Sequence, residues 1–309
     1  MISNIVRKLL SYLSFFYKND LRSTKKKNRF ILNQINNKLK KLSFNKKNLK
    51  QTHNKFNKQI LKLLTKNDLT SFLKYGFIQK MFFVHNRIFI FHELNQLKKD
   101  SNWQFYKKLI EEDHVGDPIR YFLYPKSSGN RINHVYHLKI LAKELGINLK
   151  KIKKVFEFGS GYGCMARIFS KINKKISFTC FDTSYVNLLQ FYYLKQNNLN
   201  VGFSKKNNFF LISDLKKINN FNSDLFIANW SLSETPINFR KKIFKVIKKS
   251  NFILISFQEK FEKINNLKYF KKFEKKLSKN FKFKMIKNKY YNGNLFNKQD
   301  HYFLIGKKL

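Results

Sequence analysis

Three of the ten glycines in this 309-residue chain stand at alternate positions, Gly159, Gly161 and Gly163, inside the run Glu157-Phe158-Gly159-Ser160-Gly161-Tyr162-Gly163. Glycine is the residue of choice where a backbone must turn tightly or lie directly against a ligand. Gly159 permits the turn, Gly161 lets a ligand touch the main chain, and Gly163 lets the following helix approach its strand. An acidic residue, Asp182, closes the next apolar run, "FTCFD". A carboxylate at that place can accept hydrogen bonds from both hydroxyls of a ribose.

The spacing and the leading acid narrow the ligand. A dinucleotide loop has the wider G-x-G-x-x-G spacing and seats a pyrophosphate at the helix N-terminus. Here the spacing is G-x-G-x-G, and Glu157 would repel a pyrophosphate. S-adenosylmethionine carries no phosphate; its ammonium and sulfonium groups suit an acid at the strand end. The chemistry expected is therefore binding of a positively charged nucleoside.

Such residues need a scaffold, and the pattern from residue 150 onward supplies one. Short apolar runs ("KKVFEF", "ISFTCFD", "NFFLISD", "SDLFIANW", "NFILISF") alternate with helical stretches, among them "GCMARIFSKINK", "TSYVNLLQFYYLKQNN" and "PINFRKKIFKVIKK", and a helix runs on to about Ser278. Alternation of this kind implies an α/β fold with a Rossmann-like, mostly parallel sheet. The last two strands, "FKFKMIKNKYY" and "HYFLIGKKL", have no helix between them and should form an antiparallel hairpin, which makes seven strands in all. Upstream, two of the three prolines, Pro118 and Pro125, mark a loop, and Asn133 to Leu145 reads as a helix with Val135, Leu138, Leu141 and Leu145 on one face, stopped by Gly146. Residues 1–100 form a basic helical region with apolar residues at three- and four-residue spacings. The expected organisation is thus 1–100 as an N-terminal region and 101–309 as the ligand-binding domain, with 110–146 on its acceptor side. The N-terminal "MISNIVRKLLSYLSFFYKND" reads as an amphipathic surface helix, and Phe15 and Phe16 among basic residues suit peripheral contact with an acidic membrane.

Composition sets outer limits. With 43% hydrophobic residues the chain can bury a core. Two cysteines, Cys164 and Cys180, without CxxC spacing or neighbouring histidines indicate neither a zinc site nor a disulfide framework, so a reducing cytoplasm fits. No dense carboxylate cluster calls for a metal. Sixty-four Lys and Arg against 18 Asp and Glu give a net charge of +46, which invites an anionic partner such as nucleic acid, acidic lipid or an acidic glycan. Most of these cations are Lys, whereas recognition of phosphates and guanines favours Arg. Lys, Asn, Ile and Phe also share A/T-rich codons, so drift in composition accounts for the charge as well.

With these residues in hand, the chain resembles class I S-adenosylmethionine-dependent methyltransferases over about residues 150–309, through the Glu157–Gly163 loop, Asp182, Asp214 in "LISDL", and "SDLFIANWSLSE". The resemblance implies that Glu157, Gly159, Ser160, Gly161, Tyr162 and Gly163 wrap the methionine and ribose, that Asp182 holds the ribose hydroxyls, that Asp214 reaches the adenine, and that Asn229 faces the transferred methyl. Asp214 equally suits an ordinary helix N-cap. A narrower resemblance, through "GDPIRY", "SSGNRINHVYHLKIL" and "ANWSLSETP", is to sugar O-methyltransferases encoded among bacterial polysaccharide genes, and it extends upstream to about residue 110.

A sugar hydroxyl is a poor nucleophile, so a base would help. Glu234 in "SLSETP" is the first candidate, followed by His134 and His137 on one helix face and Asp117 in "GDP"; Trp230, Ser231 and Ser233 would hold the acceptor. Each has a plainer role open to it: Glu234 at a helix N-terminus, the histidines in packing, Asp117 in a turn. Three functions follow: an O-methyltransferase acting on a sugar or glycan precursor, a nucleic-acid methyltransferase with Trp230 stacked on a base, or a non-enzymatic binding module.

Overall fold

A computed structural model describes residues 17–43, 54–66, 68–82, 84, 87–218, 221–289 and 299–309. The amphipathic helix expected at the N-terminus, with Phe15 and Phe16, lies outside the described residues. The described α-helices of the basic region are α1 (Arg22–Ser43), α2 (Asn54–Thr65), α3 (Gly76–Phe82) and α4 (Ile88–Lys98), and α5 (Trp103–Ile110) follows them. The helical periodicity of "QILKLLTKNDLTSFLKYGF", within the basic region expected to be helical, breaks after Thr65. Asp68 accepts from the Thr70 amide at 2.9 Å, and the Leu73 amide is drawn to the Gly116 carbonyl at 2.9 Å, so local side-chain and long-range bonds outcompete the helix.

Helix α6 (Gly129–Leu145) begins four residues before the expected Asn133. Ser128 caps it by accepting from the Arg131 amide, and Gly146 ends it in the left-handed conformation. Val135, Leu138 and Leu141 are buried as expected and Leu145 half-buried, but Asn130, Arg131, Asn133 and His137 are buried too. Buried polar groups require partners. Arg131 finds Glu112 at 2.6 Å and Asp113 at 2.9 Å, and Asp113 also binds Arg167.

The α/β half contains β1 (Lys154–Phe158), α7 (Cys164–Ile172), β2 (Ser177–Phe181), α8 (Ser184–Gln196), β3 (Val201–Gly202), β4 (Phe209–Ile212), β5 (Ser223–Asn229), α9 (Ile237–Lys248), β6 (Ser250–Gln258), β7 (Lys260–Phe261), β8 (Ile264–Asn265), α10 (Asn266–Leu277), β9 (Phe281–Lys287) and β10 (His301–Lys308). The main sheet runs β3-β4-β2-β1-β5-β6-β10-β9. All its pairs are parallel except β10 with β6 and β9. This is the expected Rossmann-like sheet with its C-terminal antiparallel hairpin. It has eight strands, not seven, because the two-residue β3 adds an edge beside β4. The small β7–β8 hairpin occupies the start of the stretch expected to be wholly helical before Ser278.

From β1 the chain winds outward through β2 to β4 and β3, then returns to lay β5 on the other side of β1. The order of strands reverses at β1, and open α/β sheets bind ligands beyond the carboxyl ends of their strands at such a point. Helices α1 and α2 pack on α8, and α4 and α5 on α6. Their apolar residues join the same core as one face of the sheet.

Candidate functional site

The glycine loop leaves β1 at that switch point. Gly159, Gly161 and Gly163 have φ of +70°, +53° and +98°, a region that disfavours side chains. A Cβ at Gly159 would overlap Ser231 Cβ and lie 2.7 Å from its Oγ. The Ser231 hydroxyl in turn donates to the Phe158 carbonyl, so the loop after β1 and the loop after β5 are locked together. Ser160 donates to the Glu157 carbonyl at 3.1 Å.

Glu157 is buried on β1, and its Oε2 has no hydrogen-bond partner among the described residues. Burial and then the nearby Asp182 carboxylate push its pKa well above the usual range. Asp182 follows β2, accepting from the Gly161 amide at 3.0 Å and the Thr183 amide at 2.7 Å. Burial raises it to about 7 against those two bonds. Two carboxyls thus share the cradle, and neither has a salt-bridge partner within 4 Å among the described residues.

The other loop residues divide. Tyr162 points into the core, where its hydroxyl accepts from Asn130 Nδ2 at 2.9 Å and its ring packs on Phe72 and Tyr193; only its backbone borders the cradle. Asp214 is exposed after β4 and accepts from the Lys216 amide at 2.9 Å, opening the 3-10 turn Leu215–Ile218. That is the capping role.

At the end of β5, Asn229 Oδ1 accepts from His137 Nδ1 at 3.1 Å and from the Ser256 hydroxyl at 3.2 Å, while its buried Nδ2 has no partner among the described residues. Trp230 has φ of +58°. A bulky residue in that region costs about 1–2 kcal/mol and marks a functional or strained place. Its amide is tied to the Ser256 carbonyl at 2.8 Å. Its ring meets His137 edge-on at 6.0 Å and His301 at 5.9 Å.

His134 and His137 lie on α6. Nδ1 of His134 faces the Asn130 carbonyl at 2.8 Å. Both partners are acceptors, so Nδ1 carries the proton on each ring and Nε2 is left as an acceptor. Burial lowers His134 to about 4 and His137 to about 3, and both are neutral near pH 7. Ser233 is buried, its one hydroxyl proton shared between the Trp230 carbonyl and Gln258 Oε1 at 2.8 Å. Gln258 also donates to Glu234 at 3.2 Å. Glu234 is an exposed residue whose carboxyl is nudged upward by surrounding protein. Asp117 belongs elsewhere: it binds Asn19 at 2.7 Å, Ser71 at 3.0 Å and Lys74 at 2.7 Å, fastening the basic region to the loop after α5.

The sequence pattern did not single out several neighbours. Thr183 donates to Asn57 of α2 at 3.1 Å, and Phe82 of α3 would be 3.1 Å from a Cβ on Gly161. The basic region therefore reaches over the glycine loop. Glu93 of α4 and His301 of β10 also stand beside the site. Glu93 had one available signal, as the lone acid in the apolar helix "IFIFHELNQLK".

No family model matches the chain, and no curated protein does. Solved structures are similar in shape at low identity. An rRNA methylase from Streptococcus thermophilus is 12% identical over 58% of this chain and 95% of its own, with a TM-score of 0.40. A protein from Thermoplasma acidophilum is 16% identical over 58% and 86%, with a TM-score of 0.39. The 16S rRNA methylase ArmA is 13% identical over 70% and 91%, with a TM-score of 0.36. Among the described residues no helix is long and apolar enough to cross a membrane.

Proposed function

We propose that the chain is an S-adenosylmethionine-dependent O-methyltransferase acting on a hydroxyl of a sugar or glycan precursor. The observation that carries the cofactor is the buried Glu157 carboxyl, whose Oε2 lacks a partner among the described residues, at the switch point of a chain rich in cations. A buried carboxyl in that state calls for a positively charged or donating ligand. The cradle fits the cofactor: Glu157 would face its ammonium, Asp182 its ribose hydroxyls, and the bare backbone of Gly159–Gly163 its length. When bound, S-adenosylmethionine supplies an electrophilic methyl carbon with a neutral thioether as its leaving group.

The chain's own residues do the rest. Trp230 and Ser231 wall the acceptor side, and Asn229, oriented by His137 and Ser256, would fix the reacting hydroxyl; orientation of this kind contributes several kcal/mol. His137 at about pKa 3 is too weak a base to hold the proton and serves as a neutral acceptor. Glu234, beside Gln258 at the solvent-exposed rim, is the better proton acceptor, since its carboxylate can pass the proton on to water.

Titration with S-adenosylmethionine tests the reading. Saturable binding should weaken sharply in Gly161→Val and Asp182→Ala, and undiminished binding in both contradicts it. Addition of one methyl group to a nucleotide sugar, read by mass, tests the acceptor. The charge of +46 favours a second reading, a nucleic-acid acceptor. One lysine-lined cleft, of about 310 Å³ with Lys154, Lys248, Lys249 and Lys308, lies at the amino edge of β1, β5 and β6, opposite the glycine loop. RNA affinity that survives moderate salt would support that second reading.

A further inference from the structure

Between α4, α6 and the carboxyl edge of the sheet lies a connected set of polar side chains. Glu93, fully buried, accepts from Asn133 Nδ2 at 3.1 and 3.0 Å and is bonded by the Asn288 side chain. Asn288, just beyond β9, donates its amide to the His301 carbonyl at 2.7 Å. The His301 ring meets Trp230, and Trp230 meets His137, one helical turn from Asn133. The path thus closes on itself: Glu93, Asn288, His301, Trp230, His137, Asn133. Glu93, Asn133, His137 and Asn288 are buried, and His134, Asn229, Trp230 and His301 are half-buried and so reach toward solvent.

Two buried atoms at this place have no partner among the described residues: the acceptor Asn133 Oδ1 and the donor Asn229 Nδ2. A hydroxyl is at once a donor and an acceptor, so it can answer both demands. The set is also uncharged near neutral pH. Burial raises Glu93 to about 8 and lowers His134 to about 4 and His137 and His301 to about 3. Three cations on the adjoining elements are tied to acids: Lys139 to Asp100 at 3.7 Å, Lys287 to Asp300 at 2.7 Å, Arg131 to Glu112 and Asp113. In a chain with 64 basic residues, a phosphate-reading pocket would not be lined this way.

We propose that this ring receives the part of the acceptor that enters the site, an uncharged polyhydroxylated sugar ring, and that Glu93 is a positioning residue holding Asn133 and Asn288 for it. The proposal rests on the methyl-transfer reading only for the word acceptor; sugar binding here is independent of the cofactor. Any charged portion of the molecule, such as a nucleotide or a lipid phosphate, stays outside the ring.

Fluorescence tests this, because Trp230 is one of only two tryptophans. In a Trp103→Phe background, D-glucose, D-mannose and L-rhamnose are titrated, with inorganic phosphate, glucose 6-phosphate and a uridine hexanucleotide as charged probes. At least one hexose should give a saturable change in Trp230 emission, and the charged probes should need at least tenfold higher concentration. Glu93→Gln, which keeps a neutral hydrogen-bonding group, should shift the hexose midpoint by less than about threefold. Glu93→Leu should raise it more than tenfold with the far-UV circular dichroism unchanged; if Glu93→Leu does not fold, the Gln variant and the probe order decide. The proposal is overturned if no hexose produces a saturable change, if phosphate or the oligonucleotide acts at lower concentration than the hexoses, or if Glu93→Leu binds as the parent does. Titration of S-adenosylmethionine on the same samples separates the two readings: loss of that binding with hexose binding intact contradicts the cofactor, and the reverse contradicts the ring.

Discussion

The two sides of the proposed site, one assigned to the cofactor and one to the acceptor, are built on opposite principles. The cofactor side is local: Glu157 to Gly163 is one continuous stretch, completed by Asp182 at the neighbouring strand end. It is acidic, with two carboxyls whose pKa values are pushed up by burial, Glu157's further by the nearby Asp182 carboxylate. The acceptor side is assembled from distant segments: α4, α6, the end of β5, and the facing ends of β9 and β10. It is neutral, and its histidines are held far below their ordinary range. A site that binds a cation needs charge on its wall, whereas one that orients a hydroxyl needs only fixed donors and acceptors.

Substitutions sharpen that contrast. The largest effect is expected from Gly159→Val, since the new Cβ meets Ser231 at a backbone φ of +70°. We expect about 3 kcal/mol or more of lost stability in urea unfolding, together with loss of S-adenosylmethionine binding. Next, Asp182→Ala should weaken that binding about 10- to 100-fold, the worth of one or two hydrogen bonds to a charged group, with little change in the acceptor ring. Because Asp182 titrates at about 7 and works as the carboxylate, parental affinity should rise between pH 6 and 8.

Stability against pH tests the acceptor side. His134, His137 and His301 lie below their ordinary 6.5 when folded, so the unfolded chain binds protons first and stability is lost as pH falls from about 6.5 toward 4 and 3. Glu93 lies above its ordinary 4.5, at about 8, so its contribution is lost as pH rises through that window. The melting temperature should therefore peak between these limits, and His137→Gln should flatten the acid limb. A melting temperature that climbs steadily from pH 4 to 9 would show that the cluster is solvated and not a neutral ring. The smallest effect belongs to Asp214→Ala: loss of a cap, about 0.5–1 kcal/mol, with S-adenosylmethionine affinity changed less than fivefold.

The same contrast explains what could be read before folding. The placement of the glycine loop after β1, with Asp182 against it, was legible because each follows directly on the end of an apolar strand. The parallel sheet and its hairpin were legible from alternating apolar runs. The two-residue β3 carried no periodicity, and α6 began earlier than its apolar face because Ser128, not a hydrophobic residue, fixes the start. Glu234 could be placed ahead of His134 and His137 from its position after the fourth expected strand, but the depressed pKa values of the two histidines could not be read, because they depend on burial that only the fold creates. Glu93 and His301 lie 208 positions apart in number, and nothing local in either segment predicts that Asn288 joins them.

The most direct test of the account is calorimetric titration of S-adenosylmethionine into the parent protein and into Glu157→Gln at pH 7, repeated in buffers of different ionisation enthalpy. Burial and the Asp182 carboxylate push the Glu157 pKa up, and a cation beside it should bring it down again, so that binding releases a proton. We expect saturable one-site binding with net proton release in the parent, and at least tenfold weaker binding without that release in Glu157→Gln. Absence of saturable heat at millimolar cofactor, or equal affinity and equal proton release in both proteins, would contradict it.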